Sequence, residues 1–196
     1  MGKIKSALEI ALERTESVAS SKTSIGQFEL KQKGKRIANE YLQGTVELLE
    51  AELKKVSGEE LTSLKQGIFD IFITQVVLPA GKDELQRVEA AAMGLHVIIG
   101  AEHFGEIVKQ VSRILSQYLD EVAQHEEAIK KQYAPKLRKK EEDISRRLGR
   151  HVKLDPFQDP EFVAFFNQNI NALKEKYEDV VVQVREEAKR LFEDPE

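Results

Sequence analysis

Apolar side chains recur at every third or fourth position along most of the chain, most regularly in the last run: Phe166, Ile170, Leu173, Tyr177, Val180, Val184 and Leu191. That spacing keeps one side of an α-helix apolar, and its heptad-like regularity is the pattern of a helix laying a seam on another helix. A second run, Val108, Val111, Leu115, Tyr118, Val122, His125 and Ile129, has the same form. Together they predict an all-α fold with a long, coiled-coil-like antiparallel helical hairpin over residues 102–196. Pro135 falls inside its first arm, where the missing N–H and the restricted preceding residue predict a kink. Gly149 is expected to stop that arm, and the alternation of Val152 and Leu154 suits an extended connector. Asp159, Pro160 and Glu161 then offer an N-cap, a first-turn proline and a favourable first-turn charge, so the second arm is expected to begin there.

Upstream, the pattern is shorter-ranged. Ile4, Leu8, Ala11, Leu12 and Val18 make one stripe, and the polar run at 19–24 is expected to detach it as an amphipathic arm spanning residues 1–24. A helical body over 25–101 follows. Ser24 with Gln27, and Ser57 with Glu60, match the capping-box pattern, and Thr45 is a further candidate cap. From Gly67 to Leu78 the residues are almost all apolar, which predicts a helix enclosed on most sides and stopped by Pro79. Beyond it, Ala90, Ala91, Ala92 and Gly94 permit close backbone approach. Gly100 and Gly105, each costing a helix about 1 kcal/mol, predict a break near Gly100.

Composition agrees with a folded core: 41% of residues are hydrophobic and 33% charged, too balanced for a disordered polyelectrolyte. The absence of cysteine removes disulfides, thiolate metal sites and cysteine nucleophiles. With no apolar leader and no run of about 20 apolar residues, the expectation is a cytoplasmic protein with no membrane contact.

Candidate chemistry is sparse. Gly34–Lys35 lacks the upstream glycine and the following Ser or Thr of a phosphate-binding loop, and no dinucleotide turn or nucleophile elbow occurs. His96, His103 and Glu106 would share a face only if a helix ran unbroken through Gly100, so neither a metal nor any other cofactor is expected. His125, at a seam position, is a candidate register-setting or protonation-sensitive residue. Charge is more uneven than chemistry. Between Lys130 and Lys153 ten basic side chains stand against three acidic ones, a local balance of +7 in a chain of net charge −4. Within it Arg138, Lys139, Arg146, Arg147 and Arg150 form a candidate basic patch for an acidic protein, for RNA phosphates, or for solvent. Tyr133 is its one aromatic side chain.

The stretches KIKSALEIALERT and YAPKLRKKEEDISRRLGRHVKLDPFQDPEF resemble those of an uncharacterised bacterial family of helical proteins of unknown function. That resemblance implies a helical fold and transfers no site. The sequence thus predicts a non-catalytic assembly or adaptor protein working through helix–helix contacts of the Phe166–Leu191 seam, as a homo-oligomer or in a complex. An RNA- or ribosome-associated factor using residues 130–153 is the alternative. No nucleophile, base and orienting group can be assembled into an enzyme.

Overall fold

A computed structural model describes residues 7–44 and 49–194, with side chains from residue 24 onward. Among the described residues there are six α-helices and no strand, so the protein is all-α: α1 (Ala7–Leu42), α2 (Leu49–Leu53), α3 (Gly58–Gln75), α4 (Lys82–Ile99), α5 (Glu102–Leu148) and α6 (Pro160–Glu193). A single 3-10 turn, Pro156–Gln158, precedes α6. The chain divides into two compact units, one of Met1–Gln75 with Ala90–Gly100, the other of Val76–Glu89 with Ala101–Glu196.

The first unit is organised by glycines. A Cβ on Gly34 would lie 2.2 Å from the Leu64 carbonyl oxygen, and one on Gly67 would lie 2.0 Å from the Lys31 carbonyl oxygen. The backbones of α1 and α3 therefore touch, which only paired glycines allow. Beside the crossing, Lys31 and Lys35 reach Asp70 at 2.9 and 3.7 Å, and together with the Gln66 hydrogen bond they hold its carboxyl below the usual range against the opposing effect of burial. Ile37, Ala38, Leu64, Ile68 and Phe72 fill the core, where Tyr41 meets the edge of Phe72 at 5.6 Å. A Cβ on Gly94 would lie 2.2 Å from Cε2 of that same ring, leaving no room for a side chain. Lys65 donates to the Ile98 carbonyl at 2.7 Å, satisfying one of the orphan acceptors at the end of α4.

Several upstream expectations change. The polar run at 19–24 does not break the helix, because α1 continues through it to Leu42. Ser and Thr cost a helix only a few tenths of a kcal/mol each and no left-handed residue intervenes, so Ser24 is a mid-helix residue rather than a cap. The side chains of the Ile4–Val18 stripe, and Thr45, lie outside the described residues. The apolar helix ends at Gln75, before the apolar run does, leaving Val76 buried and Val77 39% exposed. The break near Gly100 is present, with a left-handed φ of 80°.

In the second unit, three contacts give the direction of α6 relative to α5: His103 with Glu187, Tyr118 with Tyr177, and Tyr133 with Phe162. Numbers rise along one helix as they fall along the other, so the helices run antiparallel. Phe104, Val108, Val111, Leu115, Tyr118, Ile129 and Tyr133 of α5 are buried. On α6 the buried residues include Ile170, Leu173, Tyr177, Val181, Val184, Ala188 and Leu191. Two seam assignments shift. Val181 takes the buried place expected of Val180, which is half-buried, and His125 is exposed. A helix of 3.6 residues per turn drifts from a strict seven-residue repeat, and a step of four at 177–181 restores the alignment. The proline leaves the helical assignment of α5 unbroken: Pro135 is exposed, and the Lys131 carbonyl that its missing N–H leaves free is on an exposed residue.

Candidate interaction site

The end of the second unit where α5 returns into α6 is tied together by polar contacts. Gly149, at φ 65°, terminates α5 in the left-handed conformation. The connector then folds back on its own helix: the Val152 N–H donates to Ser145 Oγ and the Leu154 N–H to Glu141 Oε1, both at 2.8 Å. Asp155 caps the 3-10 turn through the Phe157 N–H. Asp159 caps α6 by accepting from the Glu161 N–H at 3.1 Å, with Pro160 in the first turn, the arrangement its sequence announced.

Asp159 is also the buried charged residue of the described chain, 8% exposed. Its carboxylate accepts from the Tyr133 hydroxyl at 2.9 Å and from Lys140 Nζ at 2.9 and 2.7 Å. Lys140 also reaches Glu161, which Lys136 meets at 3.1 Å. Hydrogen bonding to Lys140 holds the Asp159 and Glu161 carboxyls below their usual range, and those same carboxylates, Asp159 foremost, push the lysine above its own. Burial, with Asp159 adding to it, raises the Tyr133 hydroxyl. Around this cluster Phe162 meets Tyr133, and Phe157 meets Phe162 and Phe166, edge to face at centroid distances of 5.2 Å, with Phe162 and Phe166 tilted at 5.8 Å. Tyr133 and Lys140 lie seven residues apart on the continuation of the α5 seam. That spacing is the sign of the cluster in the sequence, and a count of ten basic residues does not single Lys140 out.

The basic run is thereby divided. Lys130 is within 4.0 Å of Glu126 and 3.7 Å of Glu127, and Lys136 and Lys140 are neutralised as described. Arg138, Lys139, Arg146, Arg147 and Arg150 are exposed, and none makes an ion pair among the described residues. Leu148, 57% exposed, lies among them. Tyr133, the one aromatic side chain of this run, is buried, whereas Phe157 in the turn that follows is 49% exposed.

The seam itself is used within the chain. Leu173 and Tyr177 pack with Tyr118 beside Leu78, Ile114, Leu119 and Val122, and Ile170 packs with Ile129, Tyr133 and Phe162, with half-buried Phe166 alongside. Farther along, α5 and α6 flank a groove of about 740 Å³ lined in part by Ile107, Ile114, Val180 and Gln183. The helix that would align His96 with His103 and Glu106 is interrupted at Gly100. His103 Nε2 lies 3.4 Å from Glu187 Oε1 instead. Arg190, with a smaller contribution from His103, holds the Glu187 carboxyl down to about 2. Among the described residues no three His, Asp or Glu side chains converge as a metal set, and no helix is long and apolar enough to cross a membrane.

Comparison with curated proteins and with solved structures finds no match. A family model does match, over residues 50–190, from the start of α2 almost to the end of α6, and the chain therefore belongs to the family of unknown function DUF6657.

Proposed function

We propose that the protein is a non-catalytic adaptor or assembly subunit that docks the basic end of its α5–α6 pair on an acidic protein surface. The observation that supports this best is the exposed set Arg138, Lys139, Arg146, Arg147 and Arg150, without an ion pair among the described residues, with Leu148 exposed in the same stretch of chain. Arginines beside an apolar anchor make the strong contacts of protein interfaces, where each guanidinium can grip a carboxylate with two parallel hydrogen bonds. The polar cluster behind this surface positions it by fixing the turn, while the two neutralised lysines keep the positive charge to one set of side chains.

The same charge would attract RNA phosphates, the second reading, through contacts that carry no sequence information. Capture of partners on immobilised protein, with and without nuclease, separates the two. Bound protein that resists nuclease and is lost from a variant carrying Arg138→Gln, Arg146→Gln, Arg147→Gln and Arg150→Gln supports docking. Capture abolished by nuclease, or unchanged in the variant, overturns it.

A further inference from the structure

The outer side of α6 carries the charge that the basic end lacks. Glu175, Glu178, Val182 and Glu186 follow one another at helical steps of three and four, with Asp179 beside them, and all five are exposed. None of the four carboxylates forms an ion pair among the described residues, and the neighbouring Lys174 and Lys176 each sit about a hundred degrees round the helix from Glu175. Val182, 46% exposed, is the apolar side chain of this acidic row. The basic end is its converse, with Leu148 and Phe157 exposed in the stretch that holds the arginines. One copy cannot bring the two together. Tyr133 meets Phe162 and Tyr118 meets Tyr177, and from Phe162 to Tyr177 the helix rises about 22 Å at 1.5 Å per residue. The basic set lies on the turn side of the first contact, whereas the acidic row begins level with the second.

We infer that the acidic protein surface met by the basic end is the outer face of α6 on a second copy of this chain. The inference rests on the docking reading and gives it its partner. Charge complementarity argues for a second copy: in a chain of net charge −4, an island of +7 leaves −11 for the remainder. Two copies therefore attract when the island of one faces the acidic row of the other, and repel when like surfaces meet. The guanidiniums of Arg146, Arg147 and Arg150 suit paired hydrogen bonds to the carboxylates of that row. Leu148 and Phe157 on one side and Val182 on the other then leave water together. Each copy presents both patches, so a pair can exchange them reciprocally or extend to further copies, and either raises the mass.

Light scattering of the full chain at micromolar concentration and low salt is expected to give at least twice the 22.3 kDa of one copy, falling toward one copy as salt screens the charges. Glu175→Lys with Asp179→Lys, and separately Arg146→Glu with Arg147→Glu, should each give single copies that still unfold cooperatively, since all four side chains are exposed. An equimolar mixture of the two variants should recover a two-copy species, because the first keeps its basic end and the second its acidic row. A monomeric wild type, an α6 variant that stays assembled, or a mixture that stays monomeric would each overturn the inference. The docking reading fails separately: it stands if nuclease-resistant capture of another protein still depends on the arginines, whatever the mass of the wild type.

Discussion

Asp159 combines three tasks in one carboxylate: it caps α6, accepts from a buried tyrosine, and pairs with Lys140. Replacing it with alanine should lower the melting temperature more than asparagine does, since asparagine caps a helix about as well but leaves Lys140 without its charge. Lys140→Gln in the Asp159→Asn background should then cost less than in the wild type, because the pair is already broken. The pH dependence follows from the directions of the shifts. Asp159, Glu161 and Glu187 have depressed values, so their contribution is complete above the ordinary carboxylate range and is lost as pH falls through the folded-state values. Lys140 has a raised value, so its share is complete below the ordinary lysine range and is lost only in strong alkali. Urea midpoints should accordingly be flat from about pH 5 to 10 and drop below about pH 4, with a shallower acid loss in Asp159→Asn. An equal acid loss in that variant would mean the buried carboxylate is not its source.

At the scale of elements, the helix pattern was legible wherever a cap or a breaker accompanied it. Asp159–Pro160 opened α6 and Gly149 closed α5 as read, because each acts through its own backbone geometry. Val180 was misplaced against Val181, since the phase of a seam depends on where the facing helix lies. The crossing of Gly34 and Gly67 was illegible for the same reason: a glycine announces freedom, and only its partner across the contact says what that freedom serves. These differences predict substitutions. Leu173→Ala, at a buried position, should cost about 2–5 kcal/mol, and Val181→Ala should cost more than Val180→Ala, for which burial of about 0.8 kcal/mol per methylene sets the scale. In the first unit, Gly67→Ala would force its Cβ onto the Lys31 carbonyl and should destabilise by about 1–3 kcal/mol or more. Gly26→Ala meets nothing within 4 Å and should stabilise α1 by about 0.5–1 kcal/mol. Chemical denaturation of the five variants checks the order. Gly26 and Gly67 with equal effects would contradict a close α1–α3 crossing.

For the whole molecule, the charge asymmetry was visible in composition, but its meaning was not. Counting residues gave an island of +7. It could not say that Lys136 and Lys140 are spent on the turn while Arg138, Lys139, Arg146, Arg147 and Arg150, with Lys131 and Lys153, are left without an ion pair, because the carboxylates of the turn arrive from Asp159 and Glu161, across the connector. Converting Arg138, Arg146 and Arg147 to glutamine should therefore change stability by no more than about 0.5 kcal/mol, as expected for exposed side chains without partners. Lys140→Gln should lower the unfolding midpoint beyond that set. If the arginine variant unfolds earlier instead, those side chains belong to the fold and not to a docking surface.

The connector after Gly149 has a consequence for proteolysis. It holds Arg150 and Lys153, both sites for trypsin, in a segment without helical structure, where cleavage ordinarily begins. A protease must draw several residues into its cleft in extended form and bond their backbone, yet the amides of Val152 and Leu154 are already held by Ser145 and Glu141 of the preceding helix. Limited trypsinolysis of the native protein should consequently spare this link, and a Ser145→Ala, Glu141→Ala variant should be nicked there while still folded, leaving α5 and α6 on separate polypeptides.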